Sequence, residues 1–489
     1  MKPANRNSAA LALTVLLLAA CTVGPDYVRP GVEVPDAFAE NPAWKAAEPR
    51  DHEARGKWWE MFGDGVLSGL EEQVNISNQT LLQAEANYRQ AAALIQAADA
   101  AGFPTLSGGL GVTRSRASST TTATPSATPT SRGVVQSDSL RLDASWLPDF
   151  WGRVRRSVEA SVANAQASAA LVETARLSAQ AQLAQSYFQL RVLDGQRRLY
   201  DEILAAYGKA LQITQNQYNA GISAKADVIQ AQAQMKTVQA QSIDLGVQRA
   251  QLEHAIAVLV GKPPAGFHIA PAQLKLSPPP IPPVLPSALL ERRPDIATAE
   301  RRVAAANAQI GVARAAFFPN VTLPAAVGFQ SASRAEWFTL PSRFWSIGPS
   351  LVETIFDAGL RQSQNEQAIA AYDASVAAYR QAVLVGFQQV EDNLAALRIL
   401  AAEALVQDEA VAASGMALEL SLNQYRAGLI SFLPVVVAQN NALANLRTQS
   451  TLLGLRMTAS VQLVAALGGD WSAAALPALG AARAPVAKP

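Results

Sequence analysis

A six-residue segment occurs twice in this chain, as Asn216-Gln217-Tyr218-Asn219-Ala220-Gly221 and as Asn423-Gln424-Tyr425-Arg426-Ala427-Gly428. The likeness continues in register, with Val228, Ala231 and Gln232 matching Val435, Ala438 and Gln439, and Phe103-Pro104 recurs as Phe318-Pro319. A shared Asn-Gln-Tyr-x-Ala-Gly turn is not a heptad feature, so general similarity between Ala/Gln-rich helices does not account for it. The chain is therefore read as one structural unit used twice, over 67–262 and 287–470. A Pro-rich linker at 263–286 separates the copies. A tether and equatorial segment at 21–66 precedes them and a tail at 471–489 follows. Each copy reads helix, strand, loop, strand, long helix, Gly turn, long helix.

The helical pattern is long. Tyr200, Leu204, Tyr207, Leu211 and Tyr218 form an apolar stripe with one skipped step at Thr214. Ile369, Tyr372, Val376, Tyr379, Val383, Phe387, Val390, Leu394 and Leu397 form another. No proline interrupts Arg153 to Asn219. Unbroken, that segment would be roughly 100 Å long; a break near Gly195 would make it two ordinary helices. Gly221 and Gly428 each end a long helix, where a left-handed residue costs least. Ser431 can cap the returning helix, and Asp227 or Pro434 falls in its first turn. The tip turns, about 219–226 and 426–433 with Tyr218 and Tyr425 at their edges, lie at the far end from the strands.

Four short segments alternate instead. They fall at about 103–115, 138–147, 319–331 and 344–352, with Leu140, Leu142, Ala144 and Trp146 facing one way and Ser139, Arg141, Asp143 and Ser145 the other. Such alternation suits a membrane-spanning β-barrel or a half-buried soluble sheet. The first pair flanks a Ser/Thr-rich loop, Ala117 to Arg132, and the second flanks Ser331 to Ser342. Small closed barrels need about eight strands, so four per chain must be completed by copies of the same chain. Three copies supply twelve. Apart from Leu11 to Leu18 no long apolar run exists, so any membrane-spanning part has to be closed strands.

Lys2, Arg6, that apolar stretch and Leu18-Ala19-Ala20-Cys21 read as a signal peptide over 1–20 ending in a lipobox-like site. The absence of aspartate after the cysteine (Thr22 follows it) points to the outer membrane. Cys21 is the only cysteine, which excludes an internal disulfide and a cysteine metal site. Lys and Arg number 40 against 39 Asp and Glu, a balance that excludes a nucleic-acid footprint. His52, His254 and His268 stand apart, and no nucleophile elbow, metal cluster or phosphate loop is present, which argues against an enzyme.

Several motifs add a resemblance. They are Cys21 in its lipobox, Trp146-Leu-Pro-Asp-Phe-Trp-Gly-Arg153, Tyr187-Phe188-x-Leu190-Arg191, Leu290-Glu-Arg-Arg-Pro-Asp295-Ile-Ala-x-Ala-Glu-Arg301, Ile310-Gly-Val-Ala-Arg-Ala-Ala-Phe-Phe-Pro319 and Tyr425-Arg-Ala-Gly428. Over nearly the whole mature chain the sequence resembles the TolC/OprM outer-membrane factors of the lipoprotein branch often called NodT-type.

The resemblance implies a mixed, mainly α fold: a homotrimer with a twelve-stranded β-barrel, a long periplasmic α-helical barrel and a mixed equatorial domain. It implies a passive exit duct for small molecules such as drugs in the outer membrane, extending into the periplasm. Its partners would be a periplasmic adaptor protein, an inner-membrane pump of the resistance-nodulation-division class and outer-membrane lipid. N-palmitoyl and S-diacylglycerol modification of Cys21 is expected, with no other cofactor. An outer-membrane channel for type I protein secretion, or a lipid-anchored coiled-coil spacer, is the alternative.

In that family an aspartate commonly sits nine residues after the second tip glycine, with an arginine three further on. Val437 and Asn440 stand there, with Leu433 and Pro434 before them, and Asp227 matches Pro434 in the first repeat. The expected periplasmic gate is thus a constriction of apolar rings from Leu433 and Val437; the same residues would also suit a coiled-coil core.

Overall fold

The computed structural model describes residues 22–35, 37–40, 57–116, 134–273, 278–279 and 289–479. Cys21, the signal segment, His52, the loop from Ala117 to Arg132 and much of the Pro-rich linker lie outside the described residues. The first unit comprises α1 (Gly65–Ser77), α2 (Gln79–Ala100), β1 (Thr105–Ser115), β2 (Val135–Trp146), α3 (Arg153–Asn219) and α4 (Lys225–Leu259). The second comprises a single turn at Leu289–Arg292, then α5 (Pro294–Ala315), β3 (Asn320–Ser331), β4 (Arg343–Ile347), β5 (Ser350–Val352), α6 (Leu360–Arg426) and α7 (Phe432–Ala466).

The repeat is exact in length: α3 and α6 have 67 residues each, α4 and α7 have 35, and α2 and α5 have 22. α3 runs unbroken through Gly195, roughly 100 Å at 1.5 Å per residue. Near the strands α3 lies between α2 and α5, and α5 also packs on α6. Farther away α3 pairs with α4, α6 pairs with α7, and α3 meets α7. The stripes of the long helices fill these seams, with Tyr200, Tyr207, Tyr379, Val383 and Val390 buried. Thr214, the skipped step in its stripe, is fully buried and receives the Tyr425 hydroxyl from the other unit at 3.1 Å. A polar side chain is needed there because a buried hydroxyl without a partner costs about 1–3 kcal/mol.

The largest core lies midway, where Trp58, Trp59 and Phe62 pack with Leu67 and Leu70 of α1 onto Tyr187 and Phe188 of α3. Asp64 caps α1 through the amides of Val66 and Leu67 and accepts the Tyr187 hydroxyl at 2.6 Å. Both units close their return helix in the same way. The Asn78 amide donates to the Leu259 carbonyl at 2.7 Å, and the Arg293 guanidinium donates to the equivalent Ala466 carbonyl at 2.9 Å. The Arg-Arg-Pro-Asp run is thereby explained: Asp295 and the Gln389 amide oxygen orient Arg293 for that bond.

A buried carboxyl in this belt has no partner among the described residues. Glu71 of α1 is fully buried with both carboxyl oxygens lacking a hydrogen bond, and burial pushes its carboxyl up to about 9 from 4.5. The folded protein then holds a proton that the unfolded chain has lost, so this group's contribution to stability is fully present below about 4.5 and is lost as pH rises toward 9. Thermal unfolding of the wild type should show that slope, on the order of a few kcal/mol in all. Glu71→Gln should flatten it.

The five strand segments form one sheet in the order β1-β2-β3-β4, all antiparallel, with β5 also on β3. The fourth strand expected at 344–352 is divided. Register would place Leu323 opposite Pro349 and Pro324 opposite Gly348, and a proline has no N–H for the ladder. Ser431, expected to cap α7, occupies the N-cap position but makes no side-chain cap bond.

The described residues of 22–40 take no regular secondary structure, yet they are pinned at many points. The Arg156 guanidinium holds the Val23 and Gly24 carbonyls and Asp26; Asn307 donates to the Pro25 carbonyl; Tyr27 bonds Glu300; Arg29 donates to the Tyr379 hydroxyl. Phe38 is buried against α6, whose Glu391 accepts the amides of Ala39 and Glu40. The segment is a strap laid from the sheet toward the middle of the molecule.

Candidate channel surfaces

Cross-strand partners share a face of a sheet, so the register sorts the side chains. One face carries Leu106, Leu110, Val112, Leu140, Leu142, Ala144, Trp146, Leu323, Val327, Trp345, Ile347 and Leu351. Most of these are exposed, with Leu110 and Trp345 each at 71 %. The other face carries Ser107, Thr113, Ser139, Arg141, Asp143, Ser145, Thr322, Gln330 and Ser346, and here Arg141 grips Asp143 bidentately at 2.6 and 2.7 Å. An exposed apolar face backed by a polar one fits lipid outside and water inside. β1 on one side and β4 with β5 on the other are the sheet's outer strands. Open edges are not tolerated in lipid, so the sheet must close with other copies.

Aromatic side chains gather at the strand ends nearest the helices. Trp146 donates to the Gly102 carbonyl, while Trp151 stacks on Phe318 at 4.9 Å and donates to the Pro319 carbonyl. Indoles with one apolar side and one bonded N–H belong at a membrane–water boundary. The amide of Val23 is held there, 3.2 Å from the Trp151 carbonyl.

At the opposite end, Gly221 and Gly428 have φ of 73° and 72°. Each makes the same paired turn: Ile222 N–H to the Gln217 carbonyl with Gly221 N–H to Tyr218, and Leu429 N–H to Gln424 with Gly428 N–H to Tyr425. The two turns differ in packing. Tyr425 is buried edge-on against Phe432 at 5.2 Å, whereas Tyr218 is 39 % exposed because Lys225 stands where the second unit has Phe432.

The anticipated gate residues are only partly brought together. Leu433, Pro434 and Val437 line an apolar cavity of about 420 Å³ with Ser414, Ala417, Ala438 and Asn441, between α6 and α7. Leu433 and Val437 are 61 % and 52 % exposed, so they are not core of their own protomer, whose seam is filled by Phe432, Val435 and Val436. Asp227 sits half-buried in the first turn of α4, outside that cavity. Asn440 is bonded by the Gln234 amide of α4, a neutral link between the two hairpins.

The network that holds the linker on the first unit was not anticipated as such. Asp194 accepts from Arg191 at 3.1 Å, from Arg249 at 2.7 Å and from the Ala272 amide at 3.0 Å. The same arginines hold the Ala270 and Ile269 carbonyls, and Glu253 takes the Ile269 amide and His268. Arg191 appeared in a family motif, but nothing local marks Asp194 or Arg249 as its partners. Nothing in the sequence marks Asn78, likewise, as the partner of Leu259.

Comparison with known proteins agrees with this geometry. The profile described as "Outer membrane efflux protein" matches residues 70–262 and 285–469. The pyoverdine export outer membrane protein OpmQ of Pseudomonas aeruginosa is 30% identical over 457 residues, covering 93% of this chain and 95% of that protein. The cation efflux system protein CusC of Escherichia coli is 28% identical over 462 residues, covering 93% and 97%. Among solved structures, the outer-membrane channel OprN superposes with a TM-score of 0.82 at 29% identity, over 92% of this chain and 99% of that one. The fold is that of the trimeric TolC-like channels, and the protein resides in the outer membrane with its helices in the periplasm. Sheet parity, the doubled helical hairpin and these matches together place the chain in the outer membrane efflux protein family.

Proposed function

We propose that this chain is the passive outer-membrane duct of a tripartite efflux system, receiving small molecules from an inner-membrane pump through a periplasmic adaptor. The observation that carries this reading is the far end of the helical tube. Ile222 and Leu429, equivalent residues of the two tip turns, are exposed at 70 % and 75 %, with nothing among the described residues to cover them. Trimerisation turns them into a ring of apolar knobs at the mouth, which suits a partner that grips equivalent hairpins. The lumen supplies a polar wall and no reaction; cargo choice and energy come from the pump. A lipid on Cys21 would enter the bilayer beside Trp151, where Thr22 and Val23 are already seated.

The test is dye extrusion from cells lacking the gene. The wild type should restore it, and the double variant Ile222→Asp, Leu429→Asp should not, although its trimers still reach the membrane. Full complementation by that variant would overturn adaptor docking at the tip. Leu433 and Val437 are proposed as the closing rings, acting by dewetting. In planar bilayers Leu433→Ala and Val437→Ala should each raise single-channel conductance severalfold, and unchanged conductance in both would remove the gate while leaving the duct intact.

A further inference from the structure

The lipid-facing side of the sheet is not apolar over its whole height. The register that places Leu110, Leu140 and Phe329 on that face places Arg343 in the same row, and Arg114 with Gln136 in the outermost row. Both arginines are exposed and neither has an ion pair among the described residues. The arginine of the lumen-facing side, Arg141, is by contrast neutralised by Asp143. Two acids stand nearby. Asp138 is fully buried and satisfied by Gln136 and, at 3.5 Å, by Arg334; Glu336 is exposed in the β3–β4 loop. Arg334 itself keeps 73 % of its side chain exposed.

That loop bends outward over the lipid side. Phe338 meets Phe329 edge-on at 5.8 Å and stacks on Trp337 at 4.9 Å, and Trp337 donates to the Phe329 carbonyl. Thr339 and Ser342 both donate to the Glu336 carbonyl at 2.7 Å, which fixes the loop's shape. The result is a cluster of indole and phenyl rings beside two guanidinium groups that have no ion pair among the described residues, Arg343 at the start of β4 and Arg114 near the end of β1.

We infer that this rim binds the phosphate-bearing glycolipid headgroups of the outer leaflet, with Arg114 and Arg343 on the phosphates and the Trp337–Phe338 pair at the sugar–acyl border. A guanidinium on a lipid-facing strand is tolerated near an interface and is matched by a phosphate, which it engages bidentately. A zwitterionic headgroup offers no net charge to match.

The test uses the purified trimer in neutral detergent, with diphosphorylated lipid A as the probe and phosphatidylcholine as the zwitterionic reference, read by tryptophan fluorescence. The wild type should bind the diphosphorylated lipid, bind a monophosphorylated form more weakly and leave the reference unbound. The Arg114→Gln, Arg343→Gln pair should weaken binding about tenfold, Arg343→Lys should retain part of it, and Arg141→Gln on the lumen side should change nothing. Heat-modifiable trimers on a gel confirm that each variant is folded. Equal affinity in the paired variant, equal loss in Arg141→Gln, or equal binding of phosphatidylcholine would each overturn the assignment.

Discussion

Gly468→Ala should leave little heat-resistant trimer, and Gly261→Ala should do the same. Gly468 follows α7 with φ of 91°, and a Cβ there would lie 2.1 Å from the Arg292 carbonyl oxygen and 2.7 Å from its carbon. Gly261 follows α4 with φ of 68°, its Cβ 2.1 Å from the Ser77 carbonyl oxygen. The atoms in the way are backbone, so no rotamer change relieves the contact. The left-handed conformation alone costs a non-glycine residue roughly 1–2 kcal/mol. Moving the helix end away also breaks the Arg293–Ala466 bond in one unit, or the Asn78–Leu259 and Ser77–Val260 bonds in the other. A total loss of about 3 kcal/mol or more is expected, a large part of the stability of an ordinary fold. Gly208→Ala and Gly246→Ala provide the contrast. Both glycines are inside helices with nothing within 4 Å of the new Cβ, so alanine should be neutral or stabilising by up to about 1 kcal/mol. Thermal unfolding of the four variants decides it, and similar losses in all of them would refute the close-approach argument.

Asp194→Ala should release the linker from the first unit. The carboxylate is 2 % exposed and is the shared acceptor of Arg191, itself 5 % exposed, and Arg249. Its removal strips the buried Arg191 of its carboxylate and leaves Arg249 with Glu253 alone, and breaking one member of such a set typically costs about 3–5 kcal/mol. The Ala272 amide loses its acceptor at the same time. The wild type should resist protease around residues 267–273, and the variant should be cut there into two fragments of the repeat size. Asp194→Asn should be intermediate, because it keeps the amide's acceptor and loses the charge. An uncut Asp194→Ala protein with unchanged melting temperature would show that the linker is held by other contacts.

Much of this architecture is legible in the chain because its signals are periodic or local. Strand parity sorted Leu140, Leu142 and Trp146 from Ser139, Arg141 and Asp143 without reference to any partner strand. The Tyr218-x-Ala-Gly221 and Tyr425-x-Ala-Gly428 turns announced left-handed glycines, since a tight helix stop depends on its own few residues. The split of the last strand was missed although Pro349 was in view, because only the register shows that Pro324 faces the same break and leaves it a single bond, from the Gly348 N–H to the Pro324 carbonyl.

What depends on which elements meet was not legible. Leu433 and Val437 share the stripe of Phe432 and Val436, and a helical stripe does not say which of its residues turn to the seam and which to the open face. Asp194, Arg249 and Glu253 look like ordinary helix-surface charges until the linker is laid across them. The strap over α3, α5 and α6 reads as a loose Pro-rich tether until Arg156 and Asn307 are seen holding its carbonyls. The sequence by itself determined the repeat, the sheet parity and the tip turns, because each is encoded within a few residues of itself. Tertiary structure alone decided the close approaches at Gly261 and Gly468 and the buried charge set at Asp194, because steric exclusion and desolvation act between segments that the chain order keeps far apart.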